Sequence, residues 1–311
     1  MNQAILEVDN LTVYYGNFKA VDNLSFIINE GQVCGFVGPN GAGKTTTMRV
    51  AATLLLPTYG TVRVKGIDVM KNPQEIKPII GFMPDFFGVY DNLKVWEYLD
   101  FFGSVYGLDR TTIKSRMEEV LELTDLTVKY DSYVEELSRG MKQRLCLAKT
   151  LMHDPELLIL DEPASGLDPK ARLEIQTLLK KLSKLGKTIF ISSHIMSELE
   201  NICTHLVIIE CGKLVKAGPI YEIGQEEAER RYLLIRCLNP EKVELALKDL
   251  TTVYDIQKTE ELFRVEIPNQ DEVAAQVIEA LVEKGARPIA IDQEKSSLIE
   301  RFIQVTKGKV Q

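Results

Sequence analysis

The stretch that decides the fold of this chain is Gly38-Pro39-Asn40-Gly41-Ala42-Gly43-Lys44-Thr45-Thr46. It follows the apolar residues 32–37, which are typical of a buried strand, and it leads into residues 46–56, which can form a helix or a longer strand before Pro57. A glycine, four residues and then Gly-Lys-Thr, between a strand and a helix, form a phosphate-binding loop. The alternative is a glycine-rich turn with an unrelated lysine, and the flanking segments disfavour it.

The residue types of this loop suit a nucleotide. Glycines allow the backbone angles that turn successive N–H groups toward a phosphate, and the helix that follows adds the partial positive charge of its N-terminus. Lys44 can reach the β- and γ-phosphates, and the Thr45 hydroxyl can bind Mg²⁺. The loop residues predicted to bind the nucleotide are Gly38, Pro39, Asn40, Gly41, Ala42, Gly43, Lys44, Thr45 and Thr46.

The composition is that of an ordinary globular protein with room for two domains: 311 residues, 45% hydrophobic and 26% charged. A net charge of −8 argues against nucleic acid as a partner. No stretch is apolar for long enough to span a membrane, and the N-terminus lacks the pattern of a signal peptide. The five cysteines show no paired spacing and fit reduced thiols, so we expect a soluble, cytoplasmic protein.

A second motif places two carboxylates where open α/β sheets bind their ligands. The apolar residues 157–160 predict a buried strand, and Asp161 and Glu162 follow at its carboxyl end. Asp161 is expected to complete a Mg²⁺ site with Thr45, and Glu162 to polarise an attacking water. The alternative interpretation is a turn rich in Asp and Pro.

Three further side chains could contact a nucleotide. His194 follows the strand predicted at 188–192, at the same sheet edge, and could hydrogen-bond a γ-phosphate or the water. Tyr15 precedes Gly16 at the end of a predicted strand and could stack on adenine, although a simple strand aromatic is the alternative. Ser138 is predicted to cap a helix and so to mark a second anion site, but most serines at this position only cap.

The remaining segments before residue 220 predict an antiparallel sheet and a helical subdomain. Short strands lie ahead of the phosphate loop and again at 61–65, and they are expected to pack beside the phosphate-loop core. A dense group of aromatic residues begins at Phe86, and most of it is expected to form the core of a small helical subdomain. Its first part, up to Tyr90, could instead be an exposed patch for a partner.

These motifs agree in kind and order with those of the ATP-binding subunits of ABC transporters, and residues 3–220 resemble that family. The matching motifs are Walker A at 38–46, the signature at 137–141, Walker B at 157–163, the D-loop at 165–168, the switch histidine His194 and the adenine-stacking Tyr15. The resemblance implies an α/β P-loop NTPase in residues 1–220, with a RecA-like core, an antiparallel β subdomain and a helical subdomain at about 86–152. It also implies an ATPase that uses ATP and Mg²⁺.

In this family two ATP-binding domains close head to tail, so that each ATP lies between the phosphate loop of one chain and the signature of the other. The signature and D-loop residues expected at this shared site are Ser138, Gly140, Met141 and Asp168. Glu162 would act as general base, and His194 would hold the γ-phosphate and the water in line. The chain is expected to pair with itself or with a related subunit. It would serve a separately encoded integral membrane subunit at the cytoplasmic face of the membrane.

Two departures from the family pattern affect these expectations. Asp85 stands where the family has a glutamine, and we expect its carboxylate to approach Mg²⁺ or a water. The signature reads Ser-Arg-Gly-Met in place of Ser-Gly-Gly-Gln, which retains Ser138 and Gly140. This form resembles the branch that serves exporters of drugs, polysaccharides and lipids more than nutrient importers.

Residues 221–311 are expected to form a second, α+β domain. A polar linker helix at 221–231 precedes elements in the order β-α-β-β-α-β, which is the ferredoxin-like order. They are predicted at 232–238, 240–250, 252–257, 262–267, 271–284 and 287–292, with a final helix at 296–306. The domain resembles one appended to many exporter-type subunits. A dimer-stabilising or regulatory module is favoured over a ligand sensor, because fold alone does not fix function.

The leading hypothesis is an ATPase subunit that drives an exporter and docks on its membrane partner through residues 85–90. The alternatives are an importer subunit with a ligand-sensing C-terminal domain, a soluble ABC ATPase that acts on ribosomes or DNA, and a phosphate-loop kinase. A soluble ABC ATPase usually has two ATP-binding halves or long coiled-coil insertions, and this sequence has neither. A kinase would have no need for Ser138.

Overall fold

The computed structural model of the chain describes residues 3–86, 88–193, 195, 199–223, 230–248, 250–259 and 262–293. The chain divides into two compact units between Ile220 and Tyr221. Within the described ranges, no helix is long and apolar enough to cross a membrane.

A six-stranded, mostly parallel sheet forms the centre of the first unit. Its strands are β3 (Val33–Val37), β6 (Ile80–Met83), β7 (Leu157–Leu160), β8 (Thr188–Ser193), β9 (His205–Glu210) and β10 (Lys213–Pro219). They stand in the order β10-β9-β3-β8-β7-β6, and β10 runs antiparallel to β9. The apolar runs of β3, β7 and β8 are buried along their whole length, as expected for parallel strands that are covered on both faces.

The direction of these strands brings the predicted site residues to one edge. Parallel strands point the same way, so the carboxyl ends of β3, β7 and β8 meet there. The phosphate loop leaves β3 at this edge, and Asp161 and Glu162 leave β7. Helix α1 (Lys44–Ala51) begins at the end of the loop, which settles the choice between helix and strand that the sequence left open.

An antiparallel sheet lies in the same unit, as predicted. Its strands are β1 (Ala4–Tyr15), β2 (Phe18–Asn29), β4 (Tyr59–Val64) and β5 (Ile67–Asp68), in the order β2-β1-β4-β5. Its inward-facing residues share a core with the central sheet. At the junction the rings of Phe26, Phe36 and Phe190 lie 5.0–5.7 Å apart, which joins the two sheets through one aromatic cluster.

Helices fill the stretch between β6 and β7. Tyr98 is fully buried among them, whereas Phe86 is 86% exposed and Tyr90 is 54% exposed. The aromatic residues therefore divide between a core and a surface, which were the two alternatives. The helices of the first unit that follow α1 are α2 (Pro73–Ile76), α3 (Val95–Val105), α4 (Arg110–Leu123), α5 (Arg139–Leu151) and α6 (Pro169–Lys184), with 3₁₀ turns at Thr127–Lys129 and Val134–Glu136.

The second unit has its own antiparallel sheet and its own apolar core. Its elements are β11 (Arg230–Cys237), α7 (Val243–Leu247), β12 (Asp255–Lys258), β13 (Phe263–Pro268), α8 (Asp271–Glu283) and β14 (Pro288–Gln293). The strands stand in the order β12-β13-β11-β14. The chain order β-α-β-β-α-β is compatible with the predicted ferredoxin-like domain.

The boundaries in this unit correct one prediction. The helix expected at 221–231 is wrong at its end, because Arg230 and Arg231 belong to β11 and pair with β13 across the sheet. Pairing with a neighbouring strand overrides the local helical preference of a polar, charged segment. Residues 224–229 and the helix expected at 296–306 lie outside the described residues.

Candidate nucleotide site

The carboxyl edge of the central sheet opens onto a cavity of about 470 Å³. Four separate segments contribute predicted residues to it: Tyr15 at the end of β1, the phosphate loop, Asp85 after β6 and Glu162 after β7. Its full lining is Tyr15, Phe18, Ala20, Asn40, Gly41, Gly43, Lys44, Thr45, Thr46, Asp85, Phe86, Glu162 and Ser165. Segments that are far apart in sequence thus meet in one place.

The phosphate loop packs closely against neighbouring backbone at two of its glycines, where any side chain would collide. Gly43 has a φ of +100°, and a Cβ there would lie 2.6 Å from the carbonyl oxygen of Ala20. A Cβ on Gly38 would collide with the carbonyl of Ile209 on β9. No described side chain caps α1 at Gly43, so the first N–H groups of this helix are available to an anion.

Lys44 lies buried at the base of the cavity, with 7% of its surface exposed. Its Nζ donates to the carbonyl oxygens of Gly38 (2.7 Å) and Pro39 (3.2 Å) and lies 4.0 Å from Glu162 Oε1. Burial lowers the pKa of the Lys44 ammonium, and the charges of Glu162 and Asp161 oppose that shift. A cation held beside a helix N-terminus favours the binding of a polyphosphate.

Asp161 is almost completely buried, with 1% of its surface exposed. Its Oδ1 accepts a hydrogen bond of 2.6 Å from the Ser192 hydroxyl, and its Oδ2 has no hydrogen-bond partner among the described residues. Burial raises the pKa of this carboxyl, the hydroxyls of Ser192 and Thr45 lower it, and the charges of Asp85 and Glu162 raise it further. A buried carboxylate oxygen without a hydrogen-bond partner is a suitable ligand for a cation.

These donors fit a Mg²⁺ ion that is bound together with nucleotide phosphates. No group of three or more His, Cys, Asp and Glu side chains in the described ranges could hold a metal by itself. Mg²⁺ commonly takes one or two carboxylates from the protein and its other ligands from phosphates and water. Asp161 and the Thr45 hydroxyl match that donor set, and Asp85 lines the same cavity.

Glu162 has a strained backbone. Its φ of +50° lies in the left-handed region although it is not a glycine, and it precedes Pro163. Such a conformation costs on the order of 1 kcal/mol and persists only where surrounding contacts hold it. Here the Glu162 N–H donates to the Ser192 hydroxyl at 2.9 Å. Ser192 ties both carboxylate residues in place, and the sequence patterns did not single it out.

Two exposed aromatic residues form one wall of the cavity. Tyr15 is 47% exposed, and Phe18, which pairs with it across the turn at Gly16, is 50% exposed. Two partly exposed rings beside a polar loop suit a planar base. Phe18 was missed, although a two-residue hairpin turn after Tyr15 would have placed it directly opposite.

Ser138, Gly140, Met141 and Asp168 do not line this cavity, whereas Ser165, at the start of the predicted D-loop, does. Ser138 caps α5 by accepting the N–H of Met141 at 3.3 Å, and Asp168 caps α6 by accepting two backbone N–H groups at 3.0 Å. Gly140 packs so tightly on α6 that a Cβ would lie 2.9 Å from Ala171 Cβ. His194 lies outside the described residues, one position after Ser193 at the end of β8.

The comparisons with known proteins agree with this geometry. Residues 21–165 match the family model described as "ABC transporter". The chain is 34% identical over 305 residues to the bacitracin transport ATP-binding protein of Bacillus licheniformis, with 98% of each chain covered. It is 39% identical over 224 residues to the Nod factor export ATP-binding protein of Cupriavidus metallidurans, which covers 72% of this chain and 74% of that relative.

Solved structures show the same fold. A dimeric bacterial ABC transporter cassette superposes with a TM-score of 0.62 at 25% sequence identity, covering 69% of this chain and 98% of the cassette. The matched family, the relative that spans the whole chain and the phosphate-loop cavity support one conclusion. The chain belongs to the ABC transporter family, as an ATP-binding subunit whose ATPase activity powers transport.

Proposed function

We propose that this subunit drives an exporter, by ATP-dependent head-to-tail pairing of two ATP-binding domains beneath a separately encoded integral membrane subunit. The main support is that the cavity of one chain contains some of the predicted nucleotide-binding residues, while others lie outside it. The cavity holds Lys44, Thr45 and Glu162, whereas Ser138 and Asp168 cap helices outside it. A second ATP-binding domain would complete each site. The printed name of one relative, the Nod factor export ATP-binding protein, favours export as the direction.

In this proposal ATP binds with its phosphates on the loop and its base against Tyr15 and Phe18. Lys44 and the N-terminus of α1 offset the phosphate charge. Thr45 and Asp161 would hold Mg²⁺, with Asp85 as a further candidate ligand, and the ion would supply charge neutralisation at the β- and γ-phosphates.

Hydrolysis is assigned to a water that Glu162 activates. Glu162 accepts a proton while the water oxygen bonds to the γ-phosphorus, and the bond from that phosphorus to the bridging oxygen breaks, giving ADP and phosphate. The carboxylate lies 4.0 Å from the Lys44 ammonium, which keeps it at the cavity wall. His194 is proposed to hold the γ-phosphate and the water in line.

In the proposed pair, each ATP-binding domain contributes the start of its own α5 to the ATP site of its partner. Ser138, Gly140 and Met141 would meet the ATP of the partner domain, because a capped helix N-terminus offers N–H donors and partial positive charge to an anion. Asp168 would lie at the same junction. The pairing is with a second copy or a related subunit.

The proposed docking site for the membrane subunit is the segment 85–90, extended at its Tyr90 end by an aromatic patch that includes Phe101. Tyr90 is 54% exposed and Phe101 is 45% exposed, and their rings meet edge to face at 5.8 Å. Together with residues 89–93 they line a hollow of about 720 Å³. An exposed apolar hollow of this kind is typical of a site for a helix of a partner. Docking there would place the chain on the cytoplasmic face of the membrane.

We further propose that residues 1–220 form the ATP-binding domain, with a helical subdomain at about 86–152, and that residues 221–311 form a ferredoxin-like accessory domain. Its proposed role is to stabilise the pair of ATP-binding domains or to regulate them. The support is the separate apolar core of the second unit and its β-α-β-β-α-β order.

Affinity purification tests the proposed function. Tagged Glu162→Gln protein would be purified from native membranes with ATP, and a stoichiometric integral membrane protein is expected to accompany it. Tyr90→Asp should lose that protein, whereas Val128→Asp, at an equally apolar position that is 90% exposed, should keep it. Recovery of soluble partners or ribosomes alone would instead favour a soluble ABC ATPase.

A further inference from the structure

Arg139 lies against the turn that follows Glu162 in the same chain. Its guanidinium covers Gly166 so closely that a Cβ there would lie 2.6 Å from Arg139 Cζ. Its Nη2 also approaches the Ser165 carbonyl oxygen at 3.4 Å. Gly166 has a φ of +69°, so the turn takes a left-handed conformation at the point where the guanidinium rests.

The position of Arg139 in its helix makes this contact informative. Arg139 is the first residue of α5, where the helix N-terminus repels a cation. No carboxylate lies within ion-pair distance of it among the described residues. The Arg139 side chain is exposed, yet it lies against Gly166 and the Ser165 carbonyl, a contact that partly offsets this repulsion.

Two further contacts join the same two segments. Gln143, one turn further along α5, donates its side-chain amide to the Pro163 carbonyl. Gly140 packs on Ala171 at the start of α6. The first turns of α5 therefore contact Pro163 at the start of the turn 163–168 and Ala171 just beyond its end, and Arg139 covers its middle.

We propose that Arg139 is a positioning residue, which locks the turn 163–168 onto the start of α5. This inference rests on the proposed function, in which Glu162 serves one ATP and Ser138 serves the other. This contact would make the start of α5 and the turn 163–168 move together. When α5 closes onto the partner's ATP, the backbone that follows Glu162 would therefore be held in position as well. The flat guanidinium is essential, because a lysine ammonium cannot cover Gly166 in this way.

Amide hydrogen exchange of the full-length protein without ATP tests the lock itself. In Arg139→Ala the amides of 164–168 are expected to exchange several-fold faster, while the rest of the chain and the Tm stay unchanged. Arg139→Lys keeps the charge and should behave like Arg139→Ala. Lys170→Ala, which removes an exposed cation beside the same turn, is the matched control and should leave the exchange unchanged.

Steady-state kinetics tests the effect on the reaction. Arg139→Ala is expected to lower kcat for ATP about tenfold, because the reacting groups lose their alignment, and to leave KM within about twofold because it touches no residue of the cavity wall except Ser165. Gly166→Ala, which displaces the guanidinium from the other side, should show the same split between kcat and KM.

The outcomes separate this inference from the proposed function. Unchanged exchange of 164–168 in Arg139→Ala, wild-type behaviour of Arg139→Lys, or faster exchange with an unchanged kcat would each overturn the inference. Exchange needs neither ATP nor a partner, so failure to capture a membrane protein would overturn the proposed function and leave the exchange result standing.

Discussion

Ser192 connects the two carboxylate residues of the cavity through one hydroxyl. It donates to Asp161 Oδ1 at 2.6 Å and accepts the Glu162 N–H at 2.9 Å. A hydroxyl has one donor and two acceptor positions, so both bonds form together. The Ser192 hydroxyl oxygen therefore holds both the side chain of Asp161 and the strained backbone of Glu162.

The first prediction at this scale concerns Glu162→Gln. We expect kcat for ATP hydrolysis to fall by about 10²–10⁴-fold, because the amide cannot accept the proton of the water, while ATP binding is retained. Stopped-flow or filter binding of ATP and a phosphate-release assay would measure the two properties. Glu156→Gln is the control, since Glu156 pairs with Lys65 outside the cavity. Near-normal turnover in Glu162→Gln would remove Glu162 from the role of base.

The second prediction concerns the buried charge of Asp161. Its pKa is raised by burial in the folded protein, so the folded state holds the proton more tightly than the unfolded state. The stability this gives is present at low pH and is lost as pH rises through the raised pKa. At neutral pH the charge therefore destabilises the fold, and Asp161→Asn should stabilise it by about 1 kcal/mol while abolishing Mg²⁺-dependent hydrolysis.

Thermal unfolding as a function of pH would measure this effect. The Tm advantage of Asp161→Asn over the wild type should be greatest near neutral pH and should shrink as the pH falls through the raised pKa. A lower Tm for Asp161→Asn at neutral pH, in the absence of nucleotide and metal, would contradict the argument.

Helix α5 takes part both in the proposed contact with the partner's ATP and in the position of the turn that follows Glu162. Its start carries Ser138 and Gly140, and its next turn carries Gln143, which is bonded to the Pro163 carbonyl. The same few residues therefore cap the helix, offer N–H donors to an anion and touch the turn that follows Glu162. Loss of the cap and loss of activity can be separated by comparison with another capped helix.

The third prediction uses that comparison. Ser138→Ala removes the bond to the Met141 N–H and should destabilise the helix by on the order of 1 kcal/mol, but it should lower ATPase activity far more than that loss explains. Asp109→Ala removes the cap of α4, which accepts from Thr111 and Thr112, and should lower the Tm with little effect on ATPase activity. Equal activity of both variants would favour a phosphate-loop enzyme that works without a second domain.

At the scale of the whole molecule, each of the two units has an apolar core of its own in the part of the chain that the structure describes. One joins the central sheet to the antiparallel sheet of the first unit, and the other lies between the sheet and helices of the second unit. The division falls between Ile220 and Tyr221. A unit with its own core is expected to fold by itself.

The fourth prediction follows from these separate cores. A chain ending at Ile220 should remain folded and keep kcat within about twofold at high protein concentration. If residues 221–311 stabilise the pair, the protein concentration for half-maximal activity should rise several-fold. Activity measured across a dilution series would show this. An unchanged dilution curve would contradict dimer stabilisation, and a small-molecule effect on the rate that disappears on truncation would favour a ligand sensor.

Local patterns were sufficient for much of the fold. The glycines and Lys44 predicted the loop, and the apolar run before Asp161 predicted a strand whose end meets it, because parallel strands share a carboxyl edge. The choice between helix and strand after Thr46 was left open, since a short apolar run has no decisive period. The charged end of the predicted helix at 221–231 formed a strand, because cross-strand pairing is not visible in local sequence.

The sequence by itself determined the residue types and the order of the motifs, and so the family, the phosphate loop and the presence of two carboxylates at one sheet edge. The tertiary structure alone decided which groups touch. It placed Phe18 opposite Tyr15, put the Ser192 hydroxyl between Asp161 and Glu162, and laid Arg139 on Gly166. The physical reason is that spacing along a chain fixes local conformation, whereas contacts between distant segments arise only when buried strands and helices pack together.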